Sequence, residues 1–142
     1  ADVNSIKPSF SLANRIKNWF NNDNYISLDN DNILKNLVIS NEQVYIWGIG
    51  IHIQMMLGMS HLKDCNVKYL IDNDIINQEK MMTIKNINYK IERLDVLKEI
   101  TKEDVVVIGA PTHSKEIHQK LVHQIGFKGK VIIIDNNRIY QL

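Results

Sequence analysis

Gln43-Val44-Tyr45-Ile46-Trp47-Gly48-Ile49-Gly50-Ile51-His52-Ile53-Gln54-Met55-Met56-Leu57 changes character half-way along. Val44 to Trp47 is a short run of β-branched and aromatic residues, as suits a buried strand. Two glycines interrupt it. After them Ile53, Met56 and Leu57 recur at the i, i+3, i+4 spacing of one helical face. The stretch therefore predicts a strand, a tight glycine turn and a helix. In an open α/β sheet such a turn lies at the carboxyl ends of the strands, where ligands bind. Gly48, Ile49 and Gly50 would bring backbone close to a phosphate, and the N–H groups of Ile51 and His52 would point the positive end of the helix dipole at it. Ile53 stands where G-x-G-x-x-G has its third glycine, the one that lets helix and strand pack closely beside a pyrophosphate, so the helix is expected to stand further off and leave less room for a diphosphate.

The second anchor is Asn66-Val67-Lys68-Tyr69-Leu70-Ile71, read as a strand, and the Asp72-Asn73-Asp74 that ends it. Asp72 follows Gly48 by 24 residues. An acidic residue near that spacing accepts hydrogen bonds from ribose hydroxyls in dinucleotide folds. A carboxylate in such an open cleft is expected to be solvated. The alternative is that Asp72 caps the turn that follows it. Asp72-x-Asp74 also matches the cation-holding pair of sugar-nucleotide glycosyltransferases, but the chain is short for a complete enzyme of that kind.

Val105-Val106-Val107-Ile108 is an unbroken β-branched run, the mark of a strand covered on both faces. It leads into Gly109-Ala110-Pro111-Thr112-His113-Ser114, on the same edge as the glycine turn. Gly109, Pro111 and Thr112 are expected to form the opposite wall of a ligand cleft, with His113 either facing it or standing as a partly exposed polar histidine. Ser114 would cap a helix from Lys115 to Gln124, stopped by Gly126. Val131–Ile134 reads as a further strand, Arg138–Tyr140 as an edge strand, and Tyr89–Ile91 as a short one. Residues 75–88 read as a polar connection, followed by a brief helix on Leu94 and Leu97. Ahead of the first strand, Leu12, Ile16, Trp19 and Phe20 mark one helix and Ile33, Leu34, Leu37 and Val38 another. The expected architecture is a doubly wound, mainly parallel five- to six-stranded Rossmann-like α/β sheet over residues 42–142, with a helical extension over 1–41.

The chain's 142 residues suit one domain with a core of its own. Its 17 basic and 16 acidic residues leave a net charge of +1, scattered along the chain, which argues against a nucleic-acid footprint or a polybasic membrane patch. Cys65 is the single cysteine, so the chain has no internal disulfide, and a reducing cytoplasm is the expected setting. No apolar run approaches a membrane span. His118 and His123 lie five apart and share no helical face; no H-x-x-x-H pair, P-loop lysine or G-x-S-x-G elbow occurs. No catalytic residue and no metal site is expected.

The run Val44–His52, then Tyr69–Asp74, then Val105–Pro111 resembles the Rossmann-like domains of bacterial polysaccharide and nucleotide-sugar biosynthesis proteins, over about residues 42–136. Similar domains form the C-terminal part of sugar C-methyltransferases and the N-terminal part of membrane-bound nucleotide-sugar dehydratases. Those families often carry alanine where Ile49 stands, and complete members add a catalytic or methyl-donor-binding domain. The resemblance implies a nucleotide or nucleotide-sugar ligand and a catalytic domain or partner chain. Two other readings stand beside it. One is an NAD(P)-dependent oxidoreductase acting on a sugar nucleotide. The other is an interaction module with a vestigial glycine turn, recognised by self-association as a homodimer through the first helix.

Overall fold

The computed structural model describes residues 28–135 and 138–142. The helix expected over residues 9–20, Trp19 included, lies outside them. Helix α1, Leu28–Ser40, precedes β1, Gln43–Trp47, and α2, Ile51–Met59, follows the glycine turn. Next come β2, Asn66–Ile71, β3, Met81–Ile84, β4, Ile87–Glu92, and β5, Val105–Ile108. Helix α3, Ser114–Gln119, runs into a π-helical turn over Lys120–Ile125, and β6, Lys130–Asp135, and β7, Arg138–Gln141, complete the sheet.

Seven strands hydrogen-bond in the order β3-β4-β2-β1-β5-β6-β7. The five inner strands are mutually parallel, and β3 and β7 are antiparallel edges. Counting only the parallel strands in chain order, the sheet reads 3-2-1-4-5, the arrangement of the doubly wound nucleotide-binding folds. Alternate residues of each strand feed two separate cores. Val44, Ile46, Val105, Val107, Ile132 and Ile134 pack with Leu34 and Leu37 of α1 and Ile53 and Met56 of α2. Tyr45, Trp47, Val106, Ile108, Val131 and Ile133 face the other way, against Leu97, Ile117, Leu121 and Phe127. A fully buried Leu, Ile or Val side chain contributes about 1.5–3 kcal/mol, so covering both faces is what holds the sheet. A bulge between Val44 and Tyr45 skips Lys68 in the β1–β2 register. It sends Val67 to one core and Tyr69 to the other, and leaves the Lys68 ammonium 5.6 Å from the centre of the Tyr69 ring.

Two elements differ from their sequence expectation. Residues 81–92 form a β-hairpin where a polar connection was expected as far as residue 88. Lys85 and Asn86 both have positive φ, 48° and 69°, as a two-residue type I′ turn requires. The usual cue, Asn-Gly or Asp-Gly, is absent, and only Ile84 and Ile91 of the hairpin are buried. Pairing of β4 with β2, and burial of Ile84 and Ile91 in the core shared with α1 and α2, position a hairpin that the local sequence does not signal. The second difference is at α3. Ser114 is already helical rather than a cap, because Pro111–His113 forms a 3₁₀ turn ahead of it. The helix also widens to π over its last six residues and ends, as expected, on Gly126 in the left-handed region.

Candidate functional site

Trp47 ends β1, and Gly48 turns the chain away at φ +95°, a conformation reserved for glycine. A Cβ there would also stand 3.0 Å from Cβ of Ala110. The Gly48 N–H donates to the carbonyl of Ile71 at 2.8 Å, and the Gly109 N–H donates to that of Trp47 at 2.8 Å. The ends of β1, β2 and β5 are thereby laced together. Sheet order reverses between β1 and β5, since β1 leads to β2 on one side and β5 leads to β6 on the other. At this switch point lies a cleft of about 320 Å³ lined by Trp47, Gly48, Asp72, Asn73, Ala110, His113, Glu116, Ile117 and Lys120. Ligand pockets run from roughly 300 to 1,000 Å³, so this one suits a part of a nucleotide-sized ligand.

The structure brings four of the expected residues, Gly48, Asp72, Asn73 and His113, into that cleft. Gly50 and Ile51 are exposed at the start of α2, beside the cleft rather than in its lining. Ile49 is buried, and His52 is half-buried with its Nδ1 enclosed and unpartnered among the described residues. Asp74 and Thr112 are exposed, and Pro111 sits in the 3₁₀ turn. Gly109 is buried behind Gly48, and the wall opposite the glycine turn is made by Ala110 and α3.

Asp72 does not stand free in solvent. Its Oδ2 accepts from the Ile49 N–H at 3.1 Å and from Nδ2 of Asn77 at 3.0 Å, and its Oδ1 accepts from the Asp74 N–H at 2.8 Å. The last bond is the turn cap that aspartate commonly forms. The first clamps the glycine turn to the tip of β2 and occupies one of the N–H groups a phosphate could otherwise use. Asp74 repeats the device, accepting from the Ile76 N–H at 3.0 Å.

Ile53 fills the space that a third glycine would leave. Its side chain lies so close to Gly109 that a Cβ on Gly109 would fall 1.9 Å from Cγ1 of Ile53. Close approach of helix and sheet is retained, with the glycine moved from α2 to the end of β5. The cleft residues missed in the sequence are Trp47, Ala110, Glu116, Ile117 and Lys120. A signal for the last three was present: His113, Glu116, Ile117 and Lys120 recur at the 3-4-7 spacing of one helical face.

Cys65 lies away from the cleft, buried, its Sγ 3.5 Å from the carbonyl of His61. Burial pushes its thiol up from 9.0 to about 12. The folded chain therefore holds that proton to higher pH than the unfolded chain, and stability from this group falls as pH rises past 9 toward 12. A thiol-reactive disulfide reagent at pH 8 is expected to label native protein far more slowly than urea-unfolded protein. Equal rates would refute the buried placement.

No family model matches the chain, and no curated protein does. Among solved structures it is similar to aspartate semialdehyde dehydrogenase II from Vibrio cholerae, complexed with ASA, at 15% identity and a TM-score of 0.43. The match covers 66% of this chain and 29% of that one. Among the described residues no helix is long and apolar enough to cross a membrane.

Proposed function

We propose that this Rossmann-like domain binds a nucleotide or nucleotide sugar in the switch-point cleft and works in the cytoplasm with a catalytic domain or partner chain, in surface-polysaccharide biosynthesis as the sequence resemblance implies. The observation that carries the reading is Gly50. Gly48 is glycine because the backbone demands it, but Gly50 has φ −98° and ψ −172°, and a Cβ added to it meets nothing within 4 Å. Neither packing nor a left-handed backbone requires glycine there. As the N-cap of α2 the position favours it over Val or Ala but accepts Ser, Asn or Asp as readily, and a ligand approaching the start of α2 gains from the missing side chain. In this reading phosphate lies over Gly48–Gly50 and the N–H groups of Ile51 and His52. Ribose hydroxyls face Asp72, Asn73 and Asp74, and Ala110 with the Pro111–His113 turn closes the other side.

Gly50→Val is expected to cost about 0.5–1 kcal/mol of stability, because valine is a poorer N-cap for α2, with no steric clash added. Its side chain should lower affinity for the ligand at least about tenfold, or about 1.4 kcal/mol. Thermal-shift and calorimetric titrations of the wild-type chain with nucleotides, dinucleotides and sugar nucleotides identify the ligand, and the variant is then titrated with it. Absence of any shift at millimolar ligand would refute the reading.

The sheet order also suits a dinucleotide, so NAD(P)-dependent oxidation of a sugar nucleotide is the second reading. Against it, Asp72 holds the Ile49 N–H and Ile53 fills the third glycine position. Turnover of nicotinamide by the isolated chain would reverse the preference.

A further inference from the structure

Four charged or titratable side chains line the cleft: Asp72, His113, Glu116 and Lys120. The oxygens of Asp72 accept three hydrogen bonds. Nδ1 of His113 lies 3.8 Å from Oε2 of Glu116, so these two offset one another whenever the imidazole is protonated. Lys120 differs. It is half-buried in the cleft wall one turn beyond Glu116, and among the described residues no carboxylate lies within ion-pairing distance of its Nζ. The neighbouring wall is apolar, formed by Trp47, Ala110 and Ile117. Were the ammonium to turn in along that wall, it would attract an arriving anion more strongly than in open water.

We propose that Lys120 receives a carboxylate on the far end of the bound molecule, so that the cleft selects a nucleotide-linked acidic sugar, a uronate, over its neutral counterpart. The proposal rests on the nucleotide-sugar reading above. With ribose at the tip of β2 and phosphates over the glycine turn, the rest of such a ligand passes Gly48 and Ala110 and comes to lie against α3. Lys120 is the group it meets there. A hydrogen bond between charged partners raises affinity by about ten- to a hundredfold, and a neutral hydroxymethyl group in the same place cannot match it. The competing account is that the Lys120 stem only covers Ile117 while its ammonium stays in water.

The full chain would be titrated calorimetrically with two pairs of probes, UDP-glucose against UDP-glucuronate and GDP-mannose against GDP-mannuronate. The same titrations would be run on Lys120→Met, which keeps the stem, and Lys120→Arg, which keeps the charge. In at least one pair the uronate should bind about ten- to a hundredfold more tightly. That preference should disappear in Lys120→Met, return in Lys120→Arg and weaken with added salt. Equal affinity within each pair, or a preference that survives Lys120→Met, would overturn the inference while leaving sugar-nucleotide binding in place. Failure of all four probes to bind would overturn it together with the reading on which it rests.

Discussion

Gly109→Ala is expected to lower stability by about 1–3 kcal/mol, the usual cost of forcing extra volume into a packed core. At roughly 4 °C per kcal/mol for a domain near this size, that is a melting temperature lower by about 4–12 °C. The cause is specific: the added methyl would lie 1.9 Å from Cγ1 and 2.4 Å from Cδ1 of Ile53, and 2.9 Å from the carbonyl oxygen of Gly48. Ile53→Ala alone removes a fully buried side chain and should cost about 2–5 kcal/mol. Combined, the two should cost less than their sum by about 1–3 kcal/mol, because the new methyl enters the space that the isoleucine vacates. The contact with the Gly48 carbonyl remains, so relief is incomplete. Chemical denaturation of the four proteins closes the cycle. Strict additivity would show that Ile53 and Gly109 are not coupled, and that the glycine has not been moved from the helix to β5.

Asp72→Ala is expected to act on stability and on binding together. Removing the carboxylate leaves the N–H groups of Ile49 and Asp74 and the Asn77 amide without their acceptor. Loss of such bonds to a charged group costs roughly 1.5–3 kcal/mol. The three bonds correct the expectation that this carboxylate is simply solvated. Binding of a ribose-bearing ligand should weaken as well, by about ten- to a hundredfold. Asp72→Asn separates the two roles in part. Its amide oxygen can still accept from Ile49 and Asn77, while its NH₂ can accept neither from the Asp74 N–H nor from a ribose hydroxyl, so it should lose less stability than Asp72→Ala but as much affinity. A stability loss in Asp72→Ala with ligand affinity unchanged in both variants would reduce Asp72 to a clamp on the turn.

Much of the architecture could be read from local pattern. The apolar runs at 44–47 (β-branched and aromatic), 105–108 and 131–134 (β-branched) identify buried parallel strands because a strand covered on both faces has no polar side to alternate with. The glycine turn and the helix after it follow from where the period changes from strand to helix. Placing Gly48, Asp72 and His113 at one edge then follows from the rule that parallel strands present all their carboxyl ends together. The β3–β4 hairpin was hidden because its turn residues, Lys85 and Asn86, carry little intrinsic signal.

What one-dimensional pattern could not decide is how individual polar and small groups are used. Whether Asp72 faces solvent or the Ile49 N–H depends on the approach of two strand ends 23 positions apart in the chain. Whether an isoleucine in the third glycine position pushes the helix away depends on the residue opposite it, and that residue, Gly109, lies on another strand. Lys120 reads as one more surface lysine until the fold turns its helical face toward the cleft. Hydrophobic periodicity determines the class of fold, because burial is additive and largely indifferent to detail. Hydrogen bonds and packing at the cleft are short-ranged and directional, and only the assembled tertiary structure decides which groups come close enough to form them.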